Sequence, residues 1–233
     1  MKKLISVLLM VAVLASLCSV GVCAAGKKAT IKNVNDAMTY LLDHEVINIK
    51  KATLYDGKTN LGRVYVIALC GCDMAWETDH VNCVPYCALS MLGINNPYVT
   101  TVRDMAIKKI PAGSKVVLFG HSQGGMVCQQ LAADKQMKKR FEILNVLTMG
   151  SPYITVCGRE GTLHRMADSG DVVPYLSTAG AANLFLGNFS YERCGHFGDP
   201  DSAHNRSYNI HENWRAYDAF GIENGSYVLK NVG

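Results

Sequence analysis

Ser122 lies in Gly120-His121-Ser122-Gln123-Gly124, a G-x-S-x-G pattern, and Asp171 and His211 follow it in chain order. These residue types do chemistry together. A serine hydroxyl is a weak nucleophile at neutral pH, so it needs a neighbouring base, and the base needs an orienting carboxylate. The local setting suits that use. Four apolar residues, Val116 to Phe119, predict a short strand buried on both faces, and Met126 to Met137 predicts a helix. A sharp turn between them pushes the serine hydroxyl out at the strand end. The helix start then aims its free N–H groups at the reacting centre. The plainer alternative is a glycine-rich turn with an ordinary surface serine.

The acid and the base each have competitors. Asp168 stands three residues before Asp171. Asp171 is favoured because Val172-Val173-Pro174 follows and restricts its turn. His196 and His204 compete with His211, which is favoured as the base, ahead of an expected C-terminal helix. His121, His80 and His164 read as structural or surface residues. Acyl transfer through this triad passes an oxyanion, which two backbone N–H groups would hold. Gln123, directly after the nucleophile, is one expected donor. Cys72, in the Cys70-Gly71-Cys72-Asp73 loop after an earlier strand, is the other.

The elements that must position these residues are legible in outline. Residues 34–42 predict a helix capped by Asn33 or Asn35. Residues 46–55 and 61–69 predict an antiparallel hairpin with a slightly long turn at Asp56-Gly57. Residues 73–96 read as a loop plus a short helix, or more sharply as a lid or acyl-chain wall. Pro97 opens a helix, Ile143 to Met149 is a further strand ending at Gly150-Ser151-Pro152, and Leu163 to Met166 another. Strands alternating with helices indicate an α/β class with a mostly parallel central sheet flanked by helices. Residues 176–210 look loop-rich. With no repeat or linker, residues 26–233 read as one domain.

Composition narrows the function. The chain has 233 residues, 49% of them apolar, and a net charge of +4. Lys2 and Lys3 account for two of those charges, and the rest are too few and too dispersed to suggest nucleic acid. Lys2-Lys3, the uncharged run Leu4 to Val22 and the small residues at 23–25 read as a secretory signal peptide over residues 1–25. A retained membrane anchor is the alternative, and a lipoprotein anchor on Cys18 or Cys23 is disfavoured by the bulky Leu17 and Val22. Export would place Cys70, Cys72, Cys83, Cys87, Cys128, Cys157 and Cys194 in an oxidising compartment. Cys128 reads as a packed free thiol, and the other six are open to disulfide pairing in any connectivity. The Cys70-x-Cys72 and Cys83-x3-Cys87 spacing fits no common zinc module. Asn188, Asn205 and Asn224 stand in glycosylation patterns.

These motifs together resemble the class 3 (fungal-type) lipases of the α/β-hydrolase superfamily. The likeness is carried by Gly120 to Gly125, Thr148-Met149-Gly150-Ser151-Pro152, Asp171-Val172-Val173-Pro174 and a late His211 followed by aromatic residues. It spans about residues 45–220. It implies an α/β-hydrolase fold, a Ser122-Asp171-His211 triad and no cofactor or metal. The implied function is secreted hydrolysis of carboxylic esters, lipid esters foremost, with transient contact with a lipid surface. Gln123 stands where that family usually has Leu, and Cys72 where its oxyanion loop usually has a hydroxyl residue. Two alternatives remain open: thioesterase, amidase or peptidase chemistry on the same triad, and a non-catalytic cysteine-rich binding module on a similar fold.

Overall fold

The computed structural model describes residues 28–42, 45–154, 156–176, 192–193 and 199–233. The signal-peptide reading, His196, Cys194 and Asn188 lie outside the described residues. The strands are β1 (Ala29–Ile31), β2 (Ile47–Asp56), β3 (Thr59–Leu69), β4 (Lys115–His121), β5 (Glu142–Met149), β6 (Thr162–Ala167), β7 (Glu192–Arg193) and β8 (Tyr227–Val232). The helices are α1 (Val34–Leu41), α2 (Val84–Met91), α3 (Pro97–Lys109), α4 (Gln123–Ala133), α5 (Lys135–Arg140), α6 (Pro200–Asn205) and α7 (His211–Trp214).

The described strands form one sheet of order β1-β8-β2-β3-β4-β5-β6-β7. From β3 to β7 neighbours run parallel, whereas β1, β8, β2 and β3 pair antiparallel. The parallel run is the one the alternating pattern predicts, but the sheet as a whole is mixed. Its two faces separate by strand alternation. Val64, Val66, Ala68, Val117 and Phe119 pack with α1 and Trp214. Tyr65, Ile67, Leu69, Val116 and Leu118 pack with Val99 and Val102 of α3 and Val127 and Leu131 of α4. Burial on both faces is why the centre of β4 is a continuous apolar run rather than an alternating one.

Helix starts follow their caps. The Asn33 side chain accepts from the Asp36 N–H at the start of α1, and Asn96 accepts from the Tyr98 N–H with Pro97 at the first helical position of α3. Three local expectations change. The single helix expected to reach Met137 breaks at Asp134, whose carboxylate accepts from the Gln136 and Met137 N–H groups and so starts α5. The β2–β3 turn is tight: Asp56 pairs directly with Thr59, and Gly57 takes φ 55°. After His211 there is one helical turn and then β8, not a C-terminal helix. Tyr227, Val228, Leu229 and Val232 suit a pleated surface, and β8 slots between β1 and β2.

Candidate active site

β4 ends at His121, and the backbone reverses at Ser122 into α4. Ser122 has φ 52° and ψ −121°, a conformation that costs energy for a residue with a Cβ. Its surroundings enforce it. The Ser122 N–H donates to the Met149 carbonyl of β5 at 3.0 Å. A Cβ at Gly120 would lie 2.4 Å from the Gly124 carbonyl, and one at Gly124 would lie 2.2 Å from the Leu69 carbonyl oxygen. Glycine at both positions is therefore what lets α4 start this close to β3 and β4.

Gln123 and the loop at Gly71 both adjoin this serine. Gln123 is the first residue of α4, where a backbone N–H has no intrahelical acceptor. On the β3 side, a Cβ at Gly71 would stand 3.0 Å from Ser122 Cβ and 3.5 Å from its Oγ. The loop at Gly71 therefore runs past Ser122. The Gln123 side chain is fully buried. Its Nε2 donates to the Asn82 carbonyl at 2.9 Å, and its Oε1 accepts from the Cys87 N–H at 3.0 Å. Asn82 Nδ2 in turn donates to the Gly71 carbonyl at 2.9 Å. A chain of amide contacts thus links the turn at Ser122, α2 and the Gly71-Cys72 loop.

Asp171 follows β6 and is completely buried. Its histidine partner is His204, not His211. His204 Nδ1 lies 3.1 Å from Asp171 Oδ1 and 3.0 Å from Oδ2. An ionised carboxylate only accepts, so Nδ1 carries the proton and Nε2 keeps the lone pair. The same carboxylate accepts from the Val173 N–H at 2.9 Å and from the Tyr208 hydroxyl at 2.8 Å. The His204 ring sits 4.8 Å from that of His121, centroid to centroid, which places it beside the residue preceding the nucleophile. Ser122 and His204 share no hydrogen bond among the described residues.

His211 is exposed and lines a polar surface groove with Lys28, Thr30 and Tyr40. The physical reason is its position: it opens α7 after the turn at 207–209, whereas α6 carries His204 directly against Asp171. A signal for α6 exists in the sequence. Asp199 caps it by accepting from the Ser202 N–H, and Pro200 takes the first helical position. The loop-rich composition around it hid that signal, and Tyr208 was missed with it.

Asp168 has a different task from Asp171. It accepts from the Gly170 N–H at 2.7 Å and from the Ser207 hydroxyl. Ser207 Oγ also accepts from Asn213 Nδ2, and the Ser207 carbonyl accepts from Trp214 Nε1. Asp168 therefore anchors the turn that follows His204. His121 Nε2 donates to the His204 carbonyl at 2.9 Å. Burial, together with the neighbouring His204, lowers the His121 pKa from 6.5 to about 4, so its imidazole is neutral at physiological pH.

An apolar cluster flanks the Cys72 side of the site: Cys72, Val84, Cys87, Met91, Met126, Ile154 and Val173. Among the described residues no three His, Cys, Asp or Glu converge as a metal site, and Cys70 Sγ instead faces the Glu45 carbonyl at 3.3 Å. Among the described residues no helix is long and apolar enough to cross a membrane. Compared with protein-family models, with curated proteins and with solved structures, the chain matches none.

Proposed function

We propose that the chain is a serine hydrolase of carboxylic esters on an α/β-hydrolase fold akin to that of class 3 lipases. Ser122 is the nucleophile, His204 the proton carrier and Asp171 the acid that orients it. The reading rests above all on one juxtaposition: a strained, glycine-flanked serine turn beside a buried imidazole–carboxylate pair. In the reaction, His204 Nε2 takes the Ser122 proton as Oγ attacks the ester carbonyl. The developing oxyanion is held by the Gln123 and Cys72 N–H groups; losing one such donor typically costs about 3 kcal/mol of transition-state stabilisation. The imidazolium returns its proton to the departing alcohol, and water releases the acyl group by the same steps in reverse roles.

Export through residues 1–25 remains part of the proposal.

The test is covalent labelling with a fluorophosphonate probe, followed by turnover of p-nitrophenyl esters. Ser122→Ala should abolish labelling, and His204→Ala should lower kcat/KM by about a thousandfold or more. His211→Ala should stay within about twofold, as expected for an exposed residue away from the reacting atoms. A folded chain that the probe leaves unlabelled, or a His211→Ala loss larger than that of His204→Ala, would sink the reading.

A further inference from the structure

The stretch 70–87 carries four cysteines, and the structure treats them differently. Cys70 turns away toward the Glu45 carbonyl. Cys83, fully buried, precedes the first turn of α2. Cys72 and Cys87 meet. The Cys87 thiol hydrogen-bonds the Cys72 sulfur, and the Met74 N–H donates to that same sulfur at 3.4 Å. Both belong to one packed cluster.

Their backbones are also held in register. Gln123 grips the Cys87 N–H and the Asn82 carbonyl. The Asp73 N–H donates to that same carbonyl at 3.1 Å, and the Val84 N–H donates to the Ala75 carbonyl at 2.8 Å. These contacts hold the Cys72 loop against the start of α2, so bridging the two thiols needs little further ordering of the loop.

We propose that Cys72 and Cys87 form a disulfide by exchange with a small-molecule or protein disulfide, tying the loop beside Ser122 to helix α2. The Cys72 thiolate attacks one sulfur of the incoming disulfide and expels the other as a thiolate. The Cys87 sulfur then gives up its proton and attacks Cys72 of the mixed disulfide, releasing the second thiol. Two electrons leave the protein pair and reduce the incoming disulfide to two thiols.

The chemistry favours this pair over the other thiols. The hydrogen bond from Cys87 holds the Cys72 pKa below the usual thiol value, whereas burial raises those of Cys83 and Cys128. The link uses side chains only, so it leaves the backbone of the loop beside Ser122 intact.

The experiment needs no catalytic turnover, so its outcome is separate from that of the hydrolase reading. The full-length chain is equilibrated with glutathione disulfide, blocked with N-ethylmaleimide, cleaved after Glu77 and mapped by tandem mass spectrometry. The expected product joins Cys72 to Cys87 and leaves Cys70 and Cys83 alkylated. Tm should rise by roughly 5–10 °C over the protein held in reduced glutathione. Cys87→Ser should remove that difference, and Cys157→Ser, at an exposed position, should retain it. Linkage of Cys72 to any other cysteine, or alkylation of both thiols after oxidation, overturns the proposal. The map on the unmutated chain decides even if Cys87→Ser misfolds.

Discussion

Two carboxylate oxygens at Asp171 serve three donors: the His204 ring, the Val173 N–H and the Tyr208 hydroxyl. Without such partners, a charge buried this completely would be expensive. Tyr208 also accepts from the Asp168 N–H at 3.1 Å and stacks on Trp214 at 5.3 Å. That Asp171 rather than Asp168 would sit in a fixed turn was legible in the sequence, because the Val-Val-Pro that follows it restricts its backbone. Which histidine meets it was not, because three late histidines share a loop-rich stretch and only folding decides which one reaches a buried carboxylate. His121 carries a pH consequence. Its folded pKa, about 4, lies below the ordinary 6.5. As pH falls below about 6.5 the unfolded chain takes up a proton here and the folded chain does not, so stability is lost progressively down to about pH 4. That shift corresponds to about 3 kcal/mol at most. His121→Gln keeps an N–H for the His204 carbonyl but does not titrate, so its Tm should fall less between pH 7 and pH 4. An unchanged slope in thermal melts across that range would refute the assignment.

Elements buried on both faces were the easiest to foresee. β4 and β5 announce themselves as apolar runs, and α3 by Asn96-Pro97 and its lysine-rich last turn. Short elements defined by what they pack against were not foreseen: α6 has six residues, and β8 contributes strand through pairing on both sides. Gln123 shows how one side chain can join elements that local pattern leaves separate. It stands in the first turn of α4 yet holds α2 and the loop beside Gly71. Gln123→Leu fills similar space without the amide, leaving the Cys87 N–H with the Cys83 carbonyl alone and the Asn82 carbonyl with the Asp73 N–H alone. The expected cost is about 1–2 kcal/mol of stability, read by urea denaturation, with a lower kcat because the Gly71-Cys72 segment loses its support. A variant as stable and as active as the parent would show that the amide contacts are dispensable.

The sheet gathers the molecule around residues far apart in sequence. Leu229 on β8 pairs with Ile31 on β1 and with Leu54 on β2, and is fully buried. Leu229→Ala should therefore cost about 2–5 kcal/mol. Urea unfolding followed by tryptophan fluorescence and by fluorophosphonate reactivity should shift to lower midpoints together. A midpoint shift in fluorescence alone would mean that the antiparallel half unfolds independently of the site.

The place of β8 also orders events in time. A strand that inserts between β1 and β2 leaves the hydrogen-bonding edge of β2 without its neighbour until residues 227–232 have been made. At about 5–20 residues per second, the ribosome needs roughly 8–30 s to add the roughly 160 residues between the end of the β2–β3 hairpin and the end of β8. During that interval the β2 edge carries unpaired backbone N–H and C=O groups, which makes it the edge where a nascent chain would pair wrongly with another strand.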